Sequence, residues 1–443
     1  MFGYYFDLAL RSFKRSPVLT GLMVLAIAVG IGASMTTLTV MWLLSGDPLP
    51  GRSGHIYYPQ LDPEQGADVR RNPPDMLDYT SAHDLWQSGK ADRQALLIDS
   101  EIKVQPTQPG QSPFMAKLLG TTSDFFPMFG TPFRYGAAWS AADEARSARQ
   151  TVISDTLNQR LFGGANSVGR DIVLNGHNVR IVGVLAHWRP HPLFFMVVGA
   201  RNSGGDTSSL YGPPQDVYLP LPTALDVHAG AGDFATFTCW AMPLGPGKDQ
   251  RSSPCEWVSL WVELDTAVKA ASYRRYLDDY DAQQRALGRL THPANTRLMS
   301  LSQWLDYQRI VPSDVKLQNW FAFGFLAVCL FNTIGLLLAK FMRRSGEIGV
   351  RRALGASRRA IFAQCLVEAG SIGLVGGAFG LLLTLLGLWV VRQQTVAYAD
   401  LVTLDASMFL LTFVLAIVTS LLAGAFPALR ASAVPPALQL KSQ

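Results

Sequence analysis

The stretch Lys340-Phe-Met-Arg-Arg-Ser-Gly-Glu-Ile-Gly-Val-Arg-Arg-Ala-Leu-Gly-Ala-Ser-Arg-Arg359 lies between two long apolar segments. It carries seven basic residues and a single acid, Glu347. A short loop rich in Lys and Arg beside a membrane span stays on the cytoplasmic side, because basic residues resist translocation during insertion. The loop therefore predicts an integral membrane protein and sets the orientation of the helices on either side of it.

Four apolar segments are long enough to cross a membrane, and Glu368 is the one charged residue within them. About 20 apolar residues cover the roughly 30 Å of hydrocarbon in a bilayer. A signal peptide is the alternative for the first segment, but its apolar run exceeds the about 7 to 15 residues of such peptides, and no A-x-A-like cleavage site is evident. We predict four transmembrane helices, at residues 18–44, 321–339, 361–391 and 408–427.

Basic residues place both termini in the cytoplasm, since Arg11, Lys14 and Arg15 precede the first helix and Arg430 and Lys441 follow the fourth. Residues 46–320 then lie outside the cytoplasm. They hold 25 Lys and Arg against 28 Asp and Glu, whereas the rest of the chain holds 13 against 5. A stretch of about 275 residues is too long for a loop and predicts a domain with its own core.

The fold class is thus a membrane protein with one N-terminal helix, a large α+β domain outside the cytoplasm and three C-terminal helices. The outer region is expected to have a core lobe at about 45–190 and 258–310 and a second lobe at about 190–257. The remaining parts are an interfacial helix at 1–17, the outer region as a whole at 45–320, a cytoplasmic loop and helix at 340–360, a short outer loop at 392–407 and a cytoplasmic tail at 428–443.

Local patterns support the α+β class. Gln150 to Ser154 is predicted as a strand, Asp155 as the cap of a helix through about Phe162, and residues 171–185 as a hairpin with Asn175-Gly176 at its turn. Residues 258–264 alternate as a strand, and residues 268–290 show the pattern of a solvated helix.

Two of the four cysteines, Cys239 and Cys255, fall in the outer region. They form either a disulfide, worth roughly 3 kcal/mol for a loop of about 15 residues, or two separately buried thiols. The Gly and Pro residues between them favour the disulfide. Cys329 and Cys365 lie in predicted spans and are interpreted as packing residues.

Catalytic motifs are not evident in the sequence. We find no H-E-x-x-H, no G-x-S-x-G and no G-x-x-x-x-G-K-[ST] phosphate loop. The histidines of His187-Trp-Arg-Pro-His191 have no Cys, Asp or Glu at ligand spacing, so no metal site is predicted. We expect no catalytic residue, no cofactor bound by this chain and no nucleic-acid partner.

Several residues of the C-terminal helices have two interpretations each. Glu368 is either an intramembrane relay or an interfacial partner of an arginine such as Arg359. The pairs Gly373 with Gly377 and Gly376 with Gly380 allow close approach of a second helix, within the chain or in a dimer. Gly355 would end one helix in a left-handed conformation, and Ser357 would start the next. The basic loop itself either anchors to anionic membrane lipid or docks a cytoplasmic protein.

Together with its neighbours, the loop resembles the signature of the MacB/FtsX-type permeases, the mechanotransmission class of ABC transporters. The similar stretches are 347–359, Glu368-Ala, 8–17 and 427–440, and, in the outer region, 152–154, 160–164, 167–170 and 179–185. The order of one span, an outer domain and three spans is also that of the family. The resemblance implies that the α+β domain at 45–320 and the loop at 392–407 are periplasmic, and that residues 340–360 form a coupling loop and helix.

The resemblance implies that two permeases pair, as identical copies or paralogues, above a dimer of separate ABC ATPase subunits that bind ATP and Mg. It also implies that the ATPase docks on the loop helix, at Glu347, Ile348, Val350, Arg351, Arg352, Leu354, Gly355 and Ser357. MacB exporters proper carry their ATPase in the same polypeptide, so a separately encoded ATPase is expected.

Export of a peptide, toxin or drug from the periplasm, toward an adaptor and an outer-membrane duct, is the leading functional hypothesis. Lipoprotein extraction or envelope remodelling by the same kind of complex is the alternative. A membrane-anchored periplasmic sensor is the rival from another class. The sensor predicts a cytoplasmic signalling output, and the predicted cytoplasmic parts are only short ends and one loop.

Overall fold

The computed structural model of the chain describes residue 13 and residues 16–65, 72–106, 111–228, 234–236, 238–242 and 249–433. It contains a membrane unit, formed by residues 1–46 and 311–443, and an outer unit, formed by residues 47–310. Most of the predicted interfacial helix at 1–17, and the part of the predicted tail beyond residue 433, lie outside the described residues.

The helices and strands follow one another in two runs. The helices are α1 (Pro17–Ser45), α2 (Tyr79–Gln87), α3 (Phe125–Phe129), α4 (Ala141–Ala145), α5 (Asp155–Phe162), α6 (Leu221–His228), α7 (Ala267–Ala286), α8 (Leu301–Gln308), α9 (Ser313–Arg343), α10 (Ser345–Ala353), α11 (Arg358–Arg392) and α12 (Ala406–Ala433). The strands are β1 (Ile56–Gln60), β2 (Arg93–Gln105), β3 (Phe114–Thr121), β4 (Phe133–Gly136), β5 (Gln150–Ile153), β6 (Asp171–Leu174), β7 (His177–Leu185), β8 (Val217–Pro220), β9 (Thr238–Cys239), β10 (Cys255–Glu256), β11 (Ser259–Glu263) and β12 (Arg297–Ser300).

Four helices of the membrane unit, α1, α9, α11 and α12, are long and apolar enough to cross a membrane. They correspond to the four predicted spans but extend further. The helix α9 begins eight residues before the predicted start at Phe321 and ends at Arg343, because polar residues continue a helix beyond the hydrocarbon layer. Pro427, the predicted end of the fourth span, lies inside α12; neighbouring helices and polar side chains let membrane helices tolerate proline.

Glycines on two faces of α11 let neighbouring helices approach closely. A methyl group added at Gly376 would lie 2.8 Å from Ile27 Cγ2 of α1, and one at Gly377 would lie 2.7 Å from Ala416 Cβ of α12. Gly380 continues the face toward α1, and Gly373 continues the face toward α12. Within the chain, therefore, these four glycines are occupied by packing between helices of the same copy.

Ten strands of the outer unit form one mixed sheet in the order β12-β1-β11-β2-β3-β8-β5-β7-β4, with β6 paired to β2 and β7. The pairs β3–β8 and β5–β7 are parallel, and the other pairs of this sheet are antiparallel. The strands β1 and β12, which stand at the beginning and the end of the outer unit in sequence, are direct neighbours, with Gln60 opposite Arg297.

The α+β segment at residues 150–185 forms the predicted strand, helix and hairpin. The N-cap of α5 is Ser154, whose hydroxyl accepts a hydrogen bond from the Leu157 N–H, and not the predicted Asp155. Serine and aspartate cap equally well, so the sequence alone does not separate adjacent candidates. Asn175 and Gly176 have φ of 46° and 86°, the left-handed pair that a tight hairpin turn requires.

The structure does not separate residues 190–257 as a second lobe, and that prediction was wrong. Strand β8, at Val217–Pro220, lies in the middle of the sheet between β3 and β5, and all four of its residues are buried. The strand was missed because it is short and the Gly-, Pro- and Ser-rich sequence around it is typical of loops. Cys239 and Cys255 pair across β9 and β10 and are joined by a disulfide.

Candidate functional site

A charged junction (Lys340, Arg344 and Glu368) connects three helices of the membrane unit. Lys340 Nζ in α9 lies 2.8 Å from Glu368 Oε1 in α11, and Arg344 NH1, just after α9, lies 3.4 Å from Glu368 Oε2. Lys340 Nζ also donates a hydrogen bond of 3.1 Å to Thr20 Oγ1 in α1. Lys340 is 2 % exposed and Glu368 4 % exposed, and buried charges persist only when they are paired and hydrogen-bonded.

One interpretation of Glu368 was a pairing with an arginine such as Arg359; the structure does pair it with an arginine, but the partner is Arg344 and not Arg359. Arg359 and Glu368 both lie in α11, nine positions apart, which separates them by about 13 Å along the helix axis. Arg359 is exposed, whereas Glu368 faces the cations that α9 brings to it. The junction fixes the end of α9 against the side of α11.

The helix α10 follows the junction directly and is held by its inner face. Arg351 NH1 donates to Gln364 Oε1 of α11 at 2.9 Å, and Arg352 NH1 donates to the Ser432 carbonyl of α12 at 3.3 Å. Ile348 packs against the apolar core between the membrane helices. Three contacts of different kinds thus fasten a helix of nine residues to its neighbours.

The outer face of α10 carries the remaining members of the predicted coupling set. Glu347 is exposed, Val350 is 52 % exposed, and Leu354 directly after the helix is 83 % exposed. Residues spaced by three and four positions lie on one face of a helix. An exposed Val and Leu beside an acid, at the end of a charged helix, form a small amphipathic surface that can receive a partner.

The exit from α10 is a sharp turn. Gly355 has φ of +100°, a conformation that residues with a Cβ rarely adopt. Two residues later Ser357 caps α11, its Oγ accepting a hydrogen bond of 3.2 Å from the Ala360 N–H. The junction stands at one end of α10 and this turn at the other, so a displacement of α10 has to involve α9 and α11 as well.

The structure thus divides the predicted coupling residues into three groups. Ile348, Arg351 and Arg352 fasten α10 from within. Glu347, Val350 and Leu354 are exposed, although Glu347 also lies 3.2 Å from Arg344. Gly355 and Ser357 form the turn that follows. Sequence reasoning missed Lys340 and Arg344 as partners of Glu368. They were visible as basic residues of the loop, but no local spacing connects them to a glutamate in the next helix.

Comparison with known proteins places both units in families. Residues 20–280 match the family described as MacB-like periplasmic core domain, and residues 319–436 match the family described as FtsX-like permease C-terminal. The first match alone covers more than half of the chain. The chain belongs to the MacB/FtsX-type ABC transporter permeases. It is a multi-pass membrane protein whose outer unit is a periplasmic domain of this family.

Similar curated proteins combine a permease with an ATP-binding part in their names. The permease is 24 % identical over 332 residues to the macrolide export ATP-binding/permease protein MacB of Pasteurella multocida, which covers 74 % of this chain and 43 % of that protein. It is 24 % identical over 343 residues to the pyoverdine export ATP-binding/permease protein PvdT of Pseudomonas aeruginosa, covering 75 % and 43 %. The permease therefore spans less than half the length of these relatives.

Similar solved structures include the periplasmic region of MacB from Actinobacillus actinomycetemcomitans. It is 14 % identical, with a TM-score of 0.37, and the match covers 59 % of the permease and 95 % of that chain. The extracellular domain of the noncanonic ABC-type transporter YknZ from Gram-positive bacteria is 12 % identical, with a TM-score of 0.35, covering 55 % and 99 %.

Proposed function

We propose that this permease receives the movement of a separate ATPase on the outer face of α10 and passes it to α9, α11 and α12. The ATPase dimer would bind ATP and Mg, hydrolyse ATP in the cytoplasm, and press on Glu347, Val350 and Leu354. A second permease, identical or paralogous, would complete the complex in the inner membrane, with both termini in the cytoplasm.

The observation that carries this proposal is the division of α10 into a fastened face and an exposed face. A helix that only anchored the loop to lipid would need no side-chain connections to two other helices. Here Arg351 and Arg352 connect α10 to α11 and α12, and Arg344 connects it to Glu368. Force applied to the outer face therefore reaches the membrane helices without first deforming α10.

We propose that the substrate is a peptide, toxin or drug, which is exported toward an adaptor and an outer-membrane duct. The names of the relatives support export as the class of activity: two of them are called exporters, of a macrolide and of pyoverdine. Those substrates belong to the relatives.

Co-purification tests the docking surface. The full chain, purified from its native host in mild detergent, should bring with it a protein that carries a phosphate loop, identified by mass spectrometry, together with ATP hydrolysis. Val350→Asp combined with Leu354→Asp should abolish both, because two carboxylates then replace the apolar part of the surface.

The control is Leu287→Asp, an equally simple change at an exposed leucine of the outer unit, 70 % exposed. It should leave the associated ATPase in place. Undiminished ATPase binding by the Val350→Asp, Leu354→Asp protein would contradict α10 as the docking surface, provided the variant elutes as the wild type does on size exclusion.

A further inference from the structure

Three potential metal ligands of the outer unit meet at one point although they are far apart in sequence. Asp62 and Glu64 follow β1, and His292 lies in the segment between α7 and β12. One ligand atom from each lies within 4.8 Å of the other two, and all three side chains are buried. They are 2 %, 6 % and 4 % exposed, respectively.

The separation of His292 from Asp62 fits a small coordination sphere. His292 Nδ1 lies 3.2 Å from Asp62 Oδ2. In a tetrahedral zinc site with bonds of about 2.0–2.1 Å, neighbouring ligand atoms stand about 3.3 Å apart. One imidazole and two carboxylates are also a ligand set that Zn²⁺ accepts, with room for water as a fourth ligand.

A second hydrogen bond orients the carboxylate of Asp62. Its Oδ1 accepts a hydrogen bond of 3.1 Å from the Glu64 backbone N–H, which leaves Oδ2 directed at His292. Hydrogen bonds of this kind orient a ligand before the metal arrives.

A buried Asp–His hydrogen bond is the simpler interpretation of the 3.2 Å contact, and it accounts for Asp62 and His292. It involves two of the three ligand atoms that meet within 4.8 Å of one another, and Glu64 supplies the third. The convergence of one imidazole and two carboxylates from two separate segments distinguishes this cluster from His187 and His191, where no metal site was predicted.

We propose that Asp62, Glu64 and His292 bind one divalent transition-metal ion, for which Zn²⁺ is the best fit. Asp62 lies two residues beyond Gln60, which pairs with Arg297 across β1 and β12, and His292 lies five residues before Arg297. The ion fastens together the segment that leaves β1 and the segment that enters β12. It has a structural role and takes no part in ATP hydrolysis.

The test uses the untagged full chain in detergent, stripped with a chelator and titrated with Zn²⁺. Equilibrium dialysis should find one tightly bound ion per chain, and X-ray absorption should show nitrogen and oxygen ligands at about 2.0–2.2 Å with no sulfur at about 2.3 Å. A sulfur shell would assign the ion to cysteines and overturn the proposal.

Asp62→Asn and His292→Gln should each weaken Zn²⁺ binding at least about tenfold, since even outer hydrogen-bond partners of metal ligands contribute that much. The double variant His187→Gln, His191→Gln is the matched control and should bind as the wild type does. Equal affinity in Asp62→Asn and wild type, or no tight binding by the wild type, would leave only a buried Asp–His pair. If His292→Gln does not fold, Asp62→Asn, which keeps the size of the side chain, decides the question.

Discussion

Lys340 Nζ and Glu368 Oε1 lie 2.8 Å apart and join α9 to α11 in the interior of the membrane unit. Arg344 reaches the second oxygen of the same carboxylate at 3.4 Å. The two cations therefore share one anion, and Glu368 holds the centre of the junction.

Substitutions at Lys340 and at Glu368 should lower the Tm by very different amounts. Glu368→Gln removes the carboxylate that both cations contact, and loss of one partner from a buried pair costs about 3–5 kcal/mol. Lys340→Met leaves Glu368 facing Arg344 and should lower the Tm in detergent less. Arg359→Gln, at an exposed position of the same helix, is the control and should leave the Tm unchanged.

The double variant Lys340→Met, Glu368→Gln should recover part of the loss of Glu368→Gln, because Lys340 is then no longer a buried cation without its carboxylate. If the effects of the two positions simply add, the residues do not interact as the structure indicates.

Helix packing around α11 predicts a sharp contrast between two glycines given the same substitution. Gly376→Ala places a methyl group 2.8 Å from Ile27 Cγ2, and such overpacking costs about 1–3 kcal/mol. Gly324→Ala in α9 meets nothing within 4 Å and should be neutral or stabilising by up to about 1 kcal/mol, since alanine favours the helix. Thermal unfolding in one detergent measures both, and equal effects would contradict the close approach of α1 and α11.

The stability of the outer unit should depend on the protonation of Asp99. Burial raises the pKa of Asp99 to about 6, above the value of about 3.9 for an unfolded chain. The folded state therefore holds this proton more tightly, and the contribution of Asp99 to stability falls as the pH rises from about 4 to about 6.

Asp99→Asn should accordingly raise the Tm for unfolding of the outer unit (the outer transition) at about pH 7 and change it little near pH 4. Asp279→Asn, at an exposed position of α7, serves as the control and should show no such pH-dependent difference. A constant difference between Asp99→Asn and wild type across this range would show that Asp99 does not titrate as its burial indicates.

The disulfide between Cys239 and Cys255 spans a sequence separation of 16. Removing a cross-link of this length with Cys239→Ser and Cys255→Ser should cost roughly 3 kcal/mol. Reductant should lower the Tm of the outer transition in the wild type and leave the double serine variant unchanged. A similar response of both proteins to reductant would mean that the bond does not stabilise the domain.

The membrane helices could be predicted because hydropathy is a property of each residue alone, and its sum over about 20 residues identifies a membrane span. The same holds for the hairpin at Asn175-Gly176, where turn chemistry is local. The ends of α9 and α12 could not be predicted, since polar residues continue a helix as readily as they end it.

The charged junction escaped prediction for a different reason. Whether Lys340 or Arg359 meets Glu368 depends on how α9 and α11 are offset along their axes, and that offset is determined by side-chain packing between the helices. The cluster of Asp62 and His292 is a more extreme case, since 230 positions separate the two residues. The short strand β8 was missed because four residues between glycine-rich segments carry too weak a pattern.

The pairing of β1 with β12 has a mechanical consequence. Tyr57, near the start of β1, and Ser300, at the end of β12, lie opposite each other. From these ends the chain continues toward α1 and, through α8, toward α9. If α1 and α9 move together, the strand pair moves as one body. If α1 and α9 are pulled apart, the force acts on one end of the β1–β12 pair, and its hydrogen bonds break one after another. The strand pair therefore resists joint movement of the two helices better than their separation.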